Sequence, residues 1–184
     1  MADKKAILVN AKGMKLAGSG EALDKLNKKA AVLPNADASG LADKAVALGG
    51  VKCAPADIAS TLEKSVLAVV DGAEDALAAA LDAANRRTVL VVAADDGVAF
   101  YGLGINGKAG KVARKADAGD VALTIATIAD MPIGEDCEAG VIYQVLKDPN
   151  LKLNELIKLQ EALARMESVI ERNNREPWDK HDCA

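Results

Sequence analysis

The segment TVLVVAADDGVAFY, residues 88–101, decides the fold class. It opens with an almost uninterrupted apolar run at 88–93, and such runs are typical of parallel strands that are covered on both faces. An Asp-Asp-Gly turn at 95–97 follows, and a weaker apolar run at 98–101 comes after it. The pattern therefore predicts a buried strand joined by a hairpin to an antiparallel neighbour.

The rest of the chain repeats this alternation of strands and helices. Two more apolar runs, at 6–10 and 66–70, predict further buried strands. Ala- and Leu-rich stretches between the runs predict helices at 20–30, 38–48, 56–64, 72–85 and 120–130. Asp71 and Asp120 are the predicted N-caps of the last two helices. This order predicts an α/β fold with a mainly parallel sheet and helices on both faces.

Residues 151–175 have a different pattern, a long helical one with no strand after it. Apolar residues recur there at alternating three- and four-residue steps, at Leu156, Leu159, Leu163, Met166 and Ile170. This spacing places them along one seam of a helix. We predict an α/β domain at 1–150 and a C-terminal helical appendage and tail at 151–184. The seam either forms a homodimer through the 151–175 helix or covers the sheet of its own subunit.

Composition excludes several classes of protein. Hydrophobic residues make up 51% of the 184-residue chain, which excludes a disordered polypeptide. The net charge is −4, basic residues are dispersed, and aromatic residues are 2% of the chain, so we expect no nucleic-acid partner. No apolar stretch approaches membrane-spanning length. Three widely spaced cysteines, Cys53, Cys137 and Cys183, fit reduced thiols, and we expect a cytoplasmic protein without a membrane partner.

Three motifs follow one another in the segment 88–147: the strand ending in Asp-Asp-Gly, the helix start DVALTI at 120–125, and the Met-Pro-Ile and Glu-Ala-Gly turns after it. Their order is similar to the last part of alkaline phosphatase/sulfatase superfamily members. In that superfamily the strand ends in a metal-binding Asp-His-Gly or Asp-Asn-Gly, and the helix starts with Asp-hydrophobic-Ala-Pro-Thr-Ile. Here Leu123 stands in place of the proline. The resemblance implies an alkaline-phosphatase-like core.

The departures from the superfamily pattern concern its catalytic residues. The first strand of the family ends in metal-binding aspartates, whereas this chain has Asn10-Ala11-Lys12. Cys53-Ala54-Pro55 is similar to the cysteine motif that sulfatases oxidise to formylglycine, but the Ser or Thr and the Arg that should follow are missing. His181 is the sole histidine. Two-metal transfer needs several carboxylates and imidazoles around two cations. The resemblance thus implies a reduced member that lacks most catalytic residues.

Asp95 and Asp96 are the candidate metal ligands, because they follow a buried strand. One interpretation is a carboxylate pair that holds one hard cation, Mg²⁺ or Ca²⁺, weakly. The other is an ordinary acidic turn without any cofactor, since Asp and Gly are common turn residues. Both interpretations stay open at this point.

Two functional hypotheses follow, and the sequence leaves open whether the chain is an enzyme. The first is a pseudoenzyme, a non-catalytic alkaline phosphatase/sulfatase-like domain that acts as a binding or assembly module. It rests on the missing first-strand aspartates and the single histidine. The alternative is a reduced metal-dependent hydrolase or binder of phosphate or sulfate esters, which rests on Asp95 and Asp96.

Overall fold

The computed structural model describes residues 3–134 and 137–175. It divides the chain into two units, of which the first ends at Lys147 and the second begins at Asp148. Among the described residues, the first unit contains a mixed six-stranded sheet and five α-helices, and the second contains one long α-helix. The predicted α/β class is confirmed.

Six strands form the sheet: β1 (Lys5–Ala11), β2 (Ala31–Leu33), β3 (Val51–Cys53), β4 (Leu67–Asp71), β5 (Thr88–Ala94) and β6 (Gly97–Gly102). Their order across the sheet is β2-β6-β5-β1-β4-β3. Strands β3, β4, β1 and β5 are parallel, whereas β6 is antiparallel to β5 and β2. The predicted mainly parallel sheet and the predicted β5–β6 hairpin are confirmed, and the short strands β2 and β3 were missed.

The helices are α1 (Glu21–Asn27), α2 (Leu41–Ala47), α3 (Ile58–Lys64), α4 (Glu74–Ala83), α5 (Ala118–Ala129) and α6 (Leu151–Arg175). Each corresponds to a helix predicted from the sequence. A short 3-10 turn at Pro55–Asp57 precedes α3, and another lies at Tyr143–Val145.

Both predicted N-caps are wrong. Asp71 closes β4, and its carboxylate accepts a hydrogen bond of 2.6 Å from the side-chain amide of Asn10. Helix α4 begins later, after Ala73, without a side-chain cap. The cap of α5 is Asp117, whose carboxylate accepts the backbone N–H of Asp120 at 2.9 Å. Asp120 is therefore a residue of the first helical turn.

Strand β1 separates two apolar cores. Ile7 and Val9 face one side, where α1, α3 and α4 contribute Leu23, Leu26, Ile58 and Leu77. Ala6 and Leu8 face the other side, where α2 and α5 contribute Leu41, Ala45, Val121 and Ile125. Because successive strand residues point to opposite faces, a continuous apolar strand needs helices on both. Helices α1 to α5 provide this cover.

Helix α6 presents apolar side chains to solvent along its length. Eight large ones are between 42% and 63% exposed: Leu153, Leu156, Ile157, Leu159, Leu163, Met166, Val169 and Ile170. They include the five seam residues predicted from the spacing. In the described ranges, no helix combines the length and the apolar character needed to cross a membrane.

Gly97 lies at the start of β6 against the backbone of Leu33, and we predict that Gly97→Ala unfolds more easily than Gly49→Ala. Both glycines have a positive φ, +140° and +92°. A Cβ at position 97 would also press on the backbone carbonyl of Leu33, whereas nothing lies within 4 Å of one at position 49. We expect Gly49→Ala to lower the free energy of unfolding by about 1 kcal/mol and Gly97→Ala to lower it by about 2 kcal/mol or more. Urea denaturation measures both losses. Equal losses would contradict the steric argument.

Candidate functional site: a crevice at the carboxyl edge of the sheet

The candidate site is a crevice at the carboxyl ends of the parallel strands. There β1 runs into the loop before α1, and β2 runs into the loop before α2. Because α1 and α2 pack on opposite faces of the sheet, the two loops diverge and leave a space between them. This crevice has a volume of about 260 Å³. Its polar lining comes from Asn10, Lys12, Asp37, Ser39 and Asp95.

Asp95 lies in the two-residue turn between β5 and β6 and lines the crevice. Its carboxylate accepts the backbone N–H of Gly13 at 3.0 Å, and its own N–H donates to the carbonyl of Met14 at 3.0 Å. These two bonds hold the loop after β1 against the hairpin. Asp95 therefore combines a structural contact with a position in the crevice.

Asp96 has a different role from its neighbour. One carboxylate oxygen accepts the backbone N–H of Leu16 at 2.6 Å, and the other accepts that of Ala17 at 3.0 Å. Hydrogen bonds from N–H groups to an ionised carboxylate are among the stronger ones in proteins. Asp96 thus fixes the loop at residues 13–17, while Asp95 lines the crevice. A metal site at Asp95 and Asp96 stays a prediction.

The end of β1 brings an amide and an ammonium group to the crevice. Asn10 is paired in the sheet with Asp71, and its side-chain amide donates to that carboxylate at 2.6 Å. Lys12, two residues further on, is exposed and lines the crevice.

The loop between β2 and α2 supplies a second carboxylate, which the sequence did not single out. The backbone N–H of Ser39 donates to the Asp37 carboxylate at 2.9 Å. The Ser39 side chain and this N–H lower the pKa of Asp37, the side chain more strongly. Asp37 is therefore ionised at neutral pH. The Asp-Ala-Ser-Gly stretch at 37–40, most of which was assigned to the predicted helix at 38–48, was the available signal for this loop, because Asp and Ser are common turn residues.

The crevice therefore carries two carboxylates and one ammonium group, with an amide and a hydroxyl beside them. Carboxylates suit a hard cation such as Mg²⁺ or Ca²⁺. The superfamily's two-metal arrangement does not fit these residues, since Lys12 places a positive charge where a cation ligand would be needed. Among residues 3–134 and 137–175, no group of three or more His, Cys, Asp or Glu side chains is positioned to hold a metal ion. His181 and Cys183 lie outside the described residues.

A second, larger cavity of about 670 Å³ lies between α2 and α5. Lys44, Asp117 and Asp120 line it together with apolar residues of both helices. Asp120 accepts the backbone N–H of Gly140 at 2.7 Å and lies 3.9 Å from the Arg114 guanidinium. These contacts attach the chain after α5 to the start of that helix, which gives Asp120 a structural role.

Cys53 and Cys137 lie apart from the crevice lining. Cys53 is half-buried at the end of β3 and packs against the core on the α1, α3 and α4 side. Cys137 is exposed and lines the second cavity. Cys53, whose motif is similar to that of the sulfatase cysteine, is therefore not a residue of the crevice lining.

Comparison of the chain with protein-family models, with curated protein sequences and with solved structures finds no match.

We predict that Asp96→Ala destabilises the protein, because it removes the acceptor of two backbone N–H groups. The expected loss in free energy of unfolding is about 1–3 kcal/mol, measured by urea denaturation. Amide hydrogen exchange at Leu16 and Ala17 should accelerate in the variant. Asp95→Asn is the matched control, since it keeps a side-chain oxygen for the Gly13 N–H, and it should cost under about 1 kcal/mol. A larger loss in Asp95→Asn than in Asp96→Ala would contradict these roles.

Proposed function

We propose that the chain is a non-catalytic domain with an alkaline phosphatase/sulfatase-like core, and that it acts as an assembly module through α6. The row of exposed apolar side chains on this helix carries the proposal. A contiguous apolar surface of this kind is typical of a contact site, since most of the stability of a helix in a protein comes from packing of its apolar face.

The polar groups of the crevice support the non-catalytic part of the proposal. The Lys12 ammonium repels a cation at the end of β1, and the Asn10 amide is bound to Asp71. Both oxygens of Asp96 are taken up by backbone N–H groups. A two-metal transfer site instead needs several carboxylates and imidazoles that converge on two cations.

The first test is the oligomeric state of the full chain. We expect a dimer at micromolar concentrations and a monomer for Leu163→Glu, measured by size-exclusion chromatography with light scattering. The Leu163 side chain lies in the middle of the seam and is 58% exposed, so a charge there opposes association without opening a core. Its thermal unfolding should otherwise be that of a folded domain.

Ser168→Glu is the matched control for this test. It introduces the same charge on the same helix at an exposed position away from the seam, and it should remain a dimer. A wild-type protein that is monomeric at high micromolar concentrations would overturn the assembly function. Equal loss of dimer in both variants would show that charge alone, and not the seam, decides association.

A second candidate function is a single-cation binder or hydrolase of phosphate or sulfate esters. The observation that favours it is that Asp37 and Asp95 line the same crevice. Because hydrogen bonds from Ser39 lower the pKa of Asp37, this carboxylate is available to a hard cation at neutral pH. Lys12 would face the anionic part of an ester in the same crevice.

We predict weak binding of Mg²⁺ or Ca²⁺, with a Kd of about 0.1–1 mM, and no hydrolysis of generic phosphate or sulfate esters. Calorimetric titration measures the first, and a chromogenic ester assay with Zn²⁺, Mg²⁺, Mn²⁺ or Ca²⁺ measures the second. Asp95→Asn should abolish the binding heat. Asp82→Asn, an exposed carboxylate near the end of α4, is the control and should leave it unchanged. Metal-dependent turnover that Asp95→Asn abolishes would establish the second candidate in place of the first.

A further inference from the structure

The seam of α6 has the geometry of a two-stranded coiled coil. It runs over fifteen residues from Leu156 to Ile170, whose fourteen steps span about 21 Å along the helix axis. Alternating steps of three and four average 3.5 residues, the repeat at which two helices wrap around each other with a left-handed supercoil. The partner of such a seam is another helix with the same spacing, and a second copy of the chain provides one.

The two sides of the seam differ in chemistry. In the heptad set by the seam, Ala162 and Val169 flank it on one side, and Gln160 and Glu167 flank it on the other. Val169 is therefore an apolar side chain beside the seam, and it is 47% exposed. Between Leu156 and Ile170 the helix therefore has an apolar flank and a polar flank.

A parallel pair of helices would bring unlike flanks together. In that arrangement a residue of one flank meets the opposite flank of the second helix at a position five residues away in the sequence. The Glu167 carboxylate would then lie against the Ala162 methyl group of the second copy. A carboxylate placed on an apolar side chain loses hydration without gaining a hydrogen bond.

An antiparallel pair brings like flanks together. Val169 then covers Ala162 of the second copy, and the apolar contact becomes wider than the seam alone. On the other side the Gln160 amide donates to the Glu167 carboxylate of the second copy. Within the seam, Leu159 lies level with Ile170 of the second copy, and Leu163 with Met166.

We propose that α6 pairs with α6 of a second copy of this chain in the antiparallel orientation. This inference rests on the proposed assembly function and adds the partner and its direction. Two heptads alone are marginal for an isolated coiled coil, and the wider apolar contact would add stability to this short pair of helices.

Disulfide trapping in the full-length chain tests the orientation. Cys53, Cys137 and Cys183 are replaced by serine, and Leu159→Cys and Ile170→Cys are prepared as separate proteins in this background. A disulfide requires Cα atoms within about 7 Å. In the antiparallel pair, position 159 of one copy lies beside position 170 of the other. The two copies of position 159 are about 16 Å apart along the helix axis, and so are the two copies of position 170. Ser168→Cys, away from the seam, measures random collision.

We expect the oxidised mixture of the two proteins to form cross-linked dimer several-fold above the Ser168→Cys background, and each protein alone to stay at that background. Cross-linking of each protein alone would show a parallel pair, and it would overturn the orientation while leaving the assembly function intact. A monomer in light scattering of the cysteine-free full chain, in which the seam is unaltered, would overturn both.

Leu159→Cys and Ile170→Cys each remove a seam side chain, so a second pair of variants tests the orientation with the seam intact. Ala162→Cys and Val169→Cys lie on the apolar flank and leave all five seam side chains in place. Their mixture should cross-link if the helices are antiparallel. In a parallel pair these positions lie on opposite outer sides of the dimer, so absence of the mixed product in a dimeric sample would also overturn the orientation.

Discussion

The burial of β1 between two parallel partners is the constraint on which the first unit depends. β1 pairs with β4 on one side and with β5 on the other, and Ala6 to Val9 are almost completely buried. Such a strand must be covered on both faces, and parallel neighbours must be reached by crossover helices. These two requirements send the loops after β1 and β2 to opposite faces. The crevice that holds Asp95 and Lys12 is a direct consequence of that divergence.

Most of the fold could be predicted from the sequence, because its signals are long and local. The runs that became β1, β4 and β5 are continuous in apolar character, and all six helices show helical spacing. Strands β2 and β3 were missed because they have three residues each, and all of β3 (Val51, Lys52 and Cys53) is at least partly exposed. Tertiary pairing with β6 and β4 makes them strands. The cap at Asp117 was missed because Ala118 and Gly119 resemble a loop.

The candidate site could be predicted in part only, since its residues come from three separate segments. Asp95 stood out because it follows a buried strand, and the crevice lies there. The separate roles of Asp95 and Asp96 depend on the path of the loop at 13–17, which returns its N–H groups to the turn. No local pattern encodes that path. Asp37 reaches the crevice because the end of β2 pairs with the start of β6, next to the turn that contains Asp95. This strand order is a property of the whole sheet.

The two units use their apolar residues in different ways. In the first, small Ala, Val and Leu side chains fill the two cores, and Phe100 is the one large aromatic side chain fully buried there among the described residues. The core on each side of the sheet is closed by helices of that unit. In the second, the apolar residues of α6 are spaced for another helix and are exposed. A helix with the same 3.5-residue repeat would bury them, and in the proposed antiparallel pair the second copy would also bring an apolar neighbour to Val169. Association would then stabilise α6 itself, because a single helix gains most of its stability from packing of its apolar face.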